Sequence, residues 1–579
     1  MSSFVEVSDK PWPFSHPLLD FQYLFKNDRL TTADHKGDTE DPPSPLDTLR
    51  ASPDDHHHRP QCKPALNSLF ASRYVVLCAS FAALGGLLFG YDQGVVSVIL
   101  VEPQFLQRFG RIAGGAPHAG FWKGLLTAAI ELGALGGAIN MGWIADRYSR
   151  KYAIVVAVGV FVVGSALQAG AVDYRMLLTA RFVGGLGIGG LSMVAPLYIA
   201  EISPPEIRGA LLVLEEFSIV TGIVIAFWIT YGTQFIASEW AWRLPFLLQI
   251  VPGLVLGVGI VFLPFSPRWL ASRGRDRESL HSIAKLRMLP VTDKRVQQEW
   301  YEIRAEVALQ NEITAERHPS LQDGSRSSRI KLDLAAWLDC FKPGCWRRTH
   351  VGMGIMFFQQ FVGINALIYY SPTLFETMGL DHSMQLIMSG VLNIMQLVGV
   401  TTSIWTMDYL GRRPLLLCGS AAMCASHVVI AGLVGKYSDN WPAHRGEGWT
   451  AVAFLFVYML SFGASWGPVP WALPSEIFPS SLRAKGVAIS TSMNWGSNFV
   501  IGLITPPLVE STGYGAYIFF AAFCLQSLLW TWAFVPETKG RTLEQMDHVF
   551  KDGSSGHEKA RRERIETGIA EGCSTDCDV

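Results

Sequence analysis

The sequence predicts an all-α membrane protein of twelve spans arranged as two similar six-helix halves, and three observations carry that prediction. The first is composition: the 579 residues are 49% hydrophobic and 17% charged, with a mean hydropathy of +0.25, against about 25% charge in soluble domains. The second is the segregation of charge. No Asp, Glu, Lys or Arg occurs between Lys151 and Asp173, Arg243 and Arg268, Asp381 and Asp408, Glu447 and Glu476, Lys485 and Glu510, or Glu510 and Glu537. Each run supplies the roughly 20 apolar residues that a helix needs to cross hydrocarbon. The third is duplication: Glu201-Ile-Ser-Pro-Pro-Glu-Ile-Arg208 and Glu476-Ile-Phe-Pro-Ser-Ser-Leu-Arg483 share the pattern E-I-x-P-x-x-x-R. Asp146 to Lys151 pairs in the same way with Asp408 to Arg413, and Pro264 to Arg268 with Pro536 to Arg541, at offsets of 262, 275 and 272 residues.

Taken along the chain, residues 1–72 read as a polar tail rich in Pro, Asp and Ser, with no apolar stretch that would serve as a cleaved signal. Residues 73–267 hold six spans, the charge-poor runs being joined by others that start near Tyr74, Trp122, Met176 and Leu212. Residues 268–349 are too polar to enter lipid, and Trp300, Ile303 and Val307 recur there at helical spacing within Lys294 to Gln310, the mark of a short amphipathic helix. Residues 350–537 hold the second six spans, with starts near His350 and Pro414, and 538–579 form a second polar tail. Arg147, Arg150 and Lys151 follow span 2, Arg208 follows span 4, the central connection is rich in Arg, and Arg412 and Arg413 follow span 8. By the positive-inside rule these loops and both termini face the cytoplasm.

A net charge of −2 points to no nucleic-acid partner. The nine cysteines fall on the cytoplasmic side or within spans, and neither Cys340 with Cys345 nor Cys573 with Cys577 has a second ligand pair at zinc spacing. The histidines at 56–58 read as a solvated patch, and no metal or other cofactor is expected. An enzyme is disfavoured, since the chain has no phosphate loop, no H-E-x-x-H and no nucleophile elbow. Gly184-Gly-Leu-Gly-Ile-Gly189 looks like a nucleotide fingerprint but lies in an apolar span, where small residues permit close helix packing. Duplicated halves fit a transporter whose site lies between repeats.

Further motifs follow in order: Phe89-Gly-Tyr-Asp-Gln-Gly94, Arg181-Phe-Val-Gly-Gly-Leu-Gly187, Pro196-Leu-Tyr-Ile-Ala-Glu201, Gln359-Gln-Phe-Val-Gly-Ile-Asn365, Gly467-Pro-Val-Pro-Trp471 and Pro536-Glu-Thr-Lys-Gly-Arg541. With the charged motifs above, over residues 73–548, they make the chain resemble the sugar porters of the major facilitator superfamily, above all the fungal monosaccharide transporters. The resemblance implies uptake of a monosaccharide, a hexose first, by alternating access in the plasma membrane, with the chain acting as a monomer surrounded by lipid. Two alternatives are an uncoupled facilitator of a hexose or polyol and a sugar sensor, the latter disfavoured by the short C-terminal tail. Two departures stand out. Ser149 occupies a position where the family has Gly, costly if that turn needs φ > 0, and Phe265 one where it has Glu, which leaves the second half, with Glu537, the stronger latch.

The resemblance implies a sugar site lined by Gln359, Gln360 and Asn365 of span 7, Asn393 of span 8 and Trp471 of span 10, with Asn494 of span 11 a further candidate. On a regular helix the three span 7 amides spread around the axis, so they converge only if the helix breaks near Gly363. Amides supply both donors and acceptors to sugar hydroxyls, and an indole offers a flat apolar face. As mere helix glue each such hydrogen bond would contribute only about 0.6 kcal/mol, and glue is the reading taken for Asn498. Asp92 is the only charge between Arg73 and Glu102, and a charge at that depth needs a partner, a proton or a function. The resemblance supplies Arg181 as partner, and with it proton coupling. Eight residues beyond Arg208 stands Glu216, where the family has a sugar-contacting Gln. A carboxylate accepts but does not donate, and would favour another epimer or a linear polyol. Glu215 and Glu131 are further intramembrane acids. On the cytoplasmic side Asp146, Arg147, Glu201, Arg208, Asp408, Arg412, Glu476 and Arg483 are expected to form a gate of charges at helix ends.

Overall fold

A computed structural model describes residues 73–204, 207–323, 325–479 and 481–539, with 546, 549–550, 560–561 and 564–565. The tail 1–72 and most of the C-terminal tail lie outside the described residues, as do the side chains of Arg208 and Asp408. The described residues hold helices joined by turns and loops and form twelve spans: Arg73–Ile99, Ala119–Tyr148, Arg150–Ala169, Tyr174–Ile202, Arg208–Thr233, Trp240–Phe262, Trp346–Glu376, His382–Leu410, Arg412–Tyr437, Arg445–Ile477, Arg483–Thr512 and Gly515–Phe534. Eleven are apolar enough by composition to cross a membrane. Span 11 falls short because Ser490, Thr491, Asn494, Ser497, Asn498 and Thr505 dilute it, yet all six are buried. Its polar side is turned into the protein, a direction that a mean hydropathy does not record.

Two spans are broken. Span 7 stops at Phe361 and restarts at Ile364, with Gly363 at φ 104°; a Cβ there would stand 2.8 Å from the Phe520 ring, so glycine is required on both counts. Span 10 stops at Ala464 and restarts at Val469, across the segment that brings in Pro468 and Pro470, whose missing N–H groups weaken any continuous helix. The freed carbonyls find partners. Tyr458 OH donates to Val362 O at 3.0 Å, and Gln359 Nε2 to the carbonyls of Trp466 and Gly467 at 2.9 and 3.1 Å.

The central connection holds three longer helices, α1 Asp276–Arg287, α2 Lys294–Arg317 and α3 Arg326–Asp339. The predicted helix is α2, two turns longer than its apolar spacing suggested, and Ile303 packs with Ala271, Ile283 and Val296 in a small separate core. α1 is anchored to the first half by Arg287, which donates to Ile202 O at 3.1 Å, and α3 to the second half by the ion pair of Asp333 with Lys485.

At the end of the bundle that carries the basic motifs, the duplication extends to individual bonds. Arg150 pairs with Glu201 at 2.8 Å and Arg412 with Glu476 at 2.8 Å. Arg150 also donates to Ala145 O and Arg412 to Met407 O, at 3.0 and 3.1 Å. Each glutamate accepts a hydroxyl as well, Ser266 on Glu201 and Thr538 on Glu476. These pairs join helices of the same half. Arg147 is exposed, with its guanidinium 5.7 Å from the Trp143 ring, and it is Arg150 that binds Glu201. Asp146 pairs with Arg150 at 3.0 Å, and Arg483 Nε lies 3.5 Å from Phe478 O.

The two departures are resolved differently. Glu537 accepts the backbone N–H groups of Arg412 and Arg413 at 3.0 and 3.1 Å and so caps span 9. In the first half Phe265 lies under Lys151, whose ammonium is 4.2 Å from the ring centre and donates to Val261 O at 2.9 Å. Ser149 sits at φ 142°, ψ 161°, the same region as Gly411 at φ 94°, ψ 167°, and its hydroxyl accepts from Tyr152 N–H. At the opposite end the halves touch. A Cβ on Gly120 would run into the Glu510 carboxylate, one on Gly124 into the Leu503 backbone, and one on Gly390 would stand 2.6 Å from the Trp228 ring.

Two outcomes follow from strain and burial. That backbone region costs a non-glycine residue about 1–3 kcal/mol, and replacing a serine cap by glycine loses only a few tenths of a kcal/mol. Ser149→Gly therefore stabilises the protein by roughly 1 kcal/mol, read as a higher melting temperature in detergent; a lower one would refute the strain. Glu102, between spans 1 and 2, is 1% exposed with neither carboxyl oxygen partnered among the described residues. Burial pushes its pKa up to about 8 from 4.5. The folded chain thus holds a proton that the unfolded chain releases near pH 4.5, so stability is highest below that pH and falls as pH rises toward about 8. The melting temperature should drop across that window, and Glu102→Gln should lessen the drop.

Candidate functional site

The break in span 7 turns its amides toward one another. Asn365 Nδ2 donates to Gln360 Oε1 at 2.6 Å, Gln360 Nε2 to Asn494 Oδ1 at 3.2 Å, and Asn494 Nδ2 to Gln359 Oε1 at 2.6 Å. Four of the residues singled out in the sequence therefore form one buried chain, which ends on the carbonyls freed by the break in span 10. The two irregular segments face each other across this chain. Irregular backbone at membrane depth is tolerated only where protein or a cavity satisfies it.

Glu216 and Glu215 part company. The Glu216 carboxyl lies 3.4 Å from where a Cβ on Gly467 would stand, beside the carbonyl that Gln359 engages, whereas Glu215 packs against Gly86 of span 1, its Cγ 3.2 Å from a Cβ placed there. Adjacent residues on a helix point about 100° apart, so one acid faces the span 10 break and the other a neighbouring helix. Trp471 is half-buried, just beyond that break. Asn393 is fully buried on span 8, and among the described residues neither atom of its amide has a partner. It does not join the amide chain. Donors and acceptors left open in this way suit a ligand with hydroxyl groups.

In the first half Asp92 and Arg181 are in contact, Oδ2 to Nη2 at 3.4 Å, each side chain about 2% exposed. The guanidinium is shared: Nε donates to Leu126 O at 2.9 Å and Nη1 to Gln168 Oε1 at 3.4 Å. Asp92 Oδ1 has no partner among the described residues.

Sequence reasoning missed the contacts that join this region to the second half. Gln93 Nε2 donates to Tyr369 OH at 3.0 Å, and Tyr369 OH donates in turn to Glu131. Trp495 Nε1 donates to Ser192 Oγ at 3.2 Å, and its ring lies 4.9 Å from that of Phe89. The available signals were positional: Gln93 adjoins Asp92, Trp495 adjoins Asn494, and Tyr369 lies one turn beyond Asn365. Asn498 Nδ2 stands 3.5 Å from Tyr369 OH, a helix contact.

Comparison with known proteins identifies the family. Residues 78–550 match the model of the family described as sugar (and other) transporter. The chain is 31% identical over 530 residues to the MFS glucose transporter mfs1 of Aspergillus flavus, covering 86% of this chain and 94% of the relative. It is 30% identical over 491 residues to the low-affinity glucose transporter HXT3 of Saccharomyces cerevisiae, covering 83% and 82%. Among solved structures, the proton:xylose symporter XylE bound to 6-bromo-6-deoxy-D-glucose superposes with a TM-score of 0.67 at 26% identity, over 83% of this chain and 100% of that one. A partially occluded inward-open form of XylE from E. coli superposes at 0.66 and 25% identity, over 82% and 100%. With a family match over residues 78–550 and relatives about 30% identical over most of both chains, this integral membrane protein belongs to the sugar transporter family of the major facilitator superfamily.

Proposed function

We propose that the protein is a proton-coupled monosaccharide symporter, with a hexose as its first substrate, working by alternating access. The observation that carries the coupling is Asp92. Its carboxylate is the only charge between Arg73 and Glu102, against a guanidinium that it shares with Leu126 O and Gln168 and with one oxygen unpartnered among the described residues. Desolvation favours the neutral acid and Arg181 the ionised one, so helix movements that change their separation change proton occupancy. The relatives' names support the substrate class, glucose for the fungal proteins and xylose with a proton for XylE.

In this reading the sugar is held between Gln359, Gln360, Asn365 and Asn494 on one side and Glu216 on the other, with Trp471 and Asn393 completing the lining. The halves rock about that site. The close contacts at Gly120, Gly124 and Gly390 seal the outer end, and the two Arg–Glu–hydroxyl groups keep the helix ends of each half together as the cytoplasmic end opens and closes. Arg147, Arg208, Asp408 and Arg483 complete the charged ring of the cytoplasmic gate. We take that end and both termini as cytoplasmic on the strength of the basic motifs, and the membrane as the plasma membrane. A fixed Asp92–Arg181 pair would instead leave an uncoupled facilitator of a hexose or polyol.

Asp92→Asn should abolish concentrative uptake while leaving equilibrative exchange, measured with labelled sugars in cells that lack their own transporters. Wild-type uptake that ignores a protonophore and external pH would sink the symport reading. Glu216→Gln exchanges an acceptor for a group that also donates. A hydrogen bond to a charged group contributes about 1.5–3 kcal/mol, so substrate ranking should move toward ordinary hexoses by roughly tenfold or more. Parallel competition profiles at matched surface expression would take Glu216 out of the site.

A further inference from the structure

A second acid lies beside the Asp92–Arg181 pair. Glu131, in the middle of span 2, is 1% exposed; Tyr369 OH donates to its Oε1, and Oε2 has no partner among the described residues. The groups that face it come from several helices packed around it. Span 4 contributes Arg181, span 1 Asp92 and the second part of span 7 Tyr369 and Tyr370, while Gln93 of span 1 and the amide of Asn498 of span 11 meet the Tyr369 hydroxyl. Lys123, two turns away on the same helix, faces Glu510 and Glu376 at the outer end. Among the described residues, Arg181 is therefore the one cation among the groups facing the two acids.

Charge counting decides what such a site holds. One guanidinium compensates one carboxylate, and a second bare carboxylate in the low-dielectric interior has nothing to balance it. The site is neutral only with one proton shared between the two acids. Arg181 reaches Asp92 through a single contact of 3.4 Å, while one oxygen of each acid remains unpartnered among the described residues. We propose that Asp92 and Glu131 form a two-carboxyl proton site with Arg181 as common counter-ion. The proton resides on Glu131 while Asp92 is paired, and it passes to the Asp92 carboxylate when Arg181 turns to Glu131. One O–H bond breaks and one forms, and the net charge is unchanged.

Tyr369 gives this site its link to sugar. It lies one helical turn beyond Asn365, so the segment that carries an amide of the sugar site also carries the phenol bound to Glu131, and Gln93, next to Asp92, donates to that same phenol at 3.0 Å. A movement of the second part of span 7 on sugar binding changes the hydrogen bonding of Glu131 and of Gln93, the neighbour of Asp92. This consequence for transport rests on the symport reading; the shared proton does not.

The test is infrared difference spectroscopy of the full chain reconstituted in lipid at neutral pH, reading the carbonyl band of a protonated carboxyl. Glu131→Gln should remove one such band. Asp92→Asn should remove the same band although Glu131 is intact, because Arg181 is then free to pair with Glu131. Tyr369→Phe, which leaves both acids in place, should shift the band's frequency and move its titration midpoint. An unchanged spectrum in Glu131→Gln, or a band that persists in Asp92→Asn, would overturn the shared site. Should Glu131→Gln fail to fold, an unshifted band in Tyr369→Phe overturns it as well. If these band changes occur in a protein whose uptake ignores the proton gradient, the proton site stands and symport falls.

Discussion

Hydrocarbon supplies no hydrogen bonds, and this one constraint organises the centre of the molecule. A transmembrane helix can be interrupted only where something within the protein takes up the carbonyls that the interruption releases. Here spans 7 and 10 are interrupted opposite each other. Tyr458 takes the Val362 carbonyl, and Gln359 takes those of Trp466 and Gly467. Gln359 is thereby committed at one end to backbone repair, while its own carbonyl oxygen accepts from Asn494 and opens the amide chain toward Gln360 and Asn365. Structural satisfaction and the candidate sugar contacts are thus parts of one hydrogen-bond network. Such a network is costly to satisfy incompletely.

Away from the centre, the same duplicated chemistry anchors each half. Arg150, Glu201 and Ser266 repeat as Arg412, Glu476 and Thr538, and even the carbonyls that the arginines engage, Ala145 and Met407, stand at the same offset. Multidentate contacts between arginine and carboxylate fix relative helix orientation as well as contributing energy. The halves differ where the motif has diverged. Glu537 caps span 9 directly, whereas the first half uses the Ser149 hydroxyl as cap and sets Lys151 on the Phe265 ring. The substitution of phenylalanine for glutamate therefore replaces an ionic cap with a cation–π contact of about 0.5–2 kcal/mol.

Contacts between the halves have another character. Apart from Gln93 and Glu131 on Tyr369, Ser97 beside Ser371, and Ser192 on Trp495, the closest approaches at the outer end are made by glycines against backbone or side chain. Small residues allow helices to approach closely with little polar commitment. The glycine contacts themselves can part without stranding a donor, in contrast to the ionic groups that bind helix ends within each half.

Much of this was legible in the sequence because membranes make composition informative. Charge-free runs marked spans, repeated motifs marked two halves, and Gly363 marked a break, since only a break lets Gln360 and Asn365 meet. The Ser149 strain was legible too, from a serine in a glycine's place. Tertiary structure alone decided the rest, for one physical reason: spacing along a chain gives direction around one helix, but partners across helices depend on how the helices pack. Thus span 11 failed as an average and succeeded as a buried face, and Glu201 took Arg150 as its partner. Glu216 and Glu215, identical in chemistry and adjacent in sequence, were sent by helical rotation to Gly467 and Gly86. Glu131 acquired Tyr369 from 238 residues away, a pairing that no local pattern encodes.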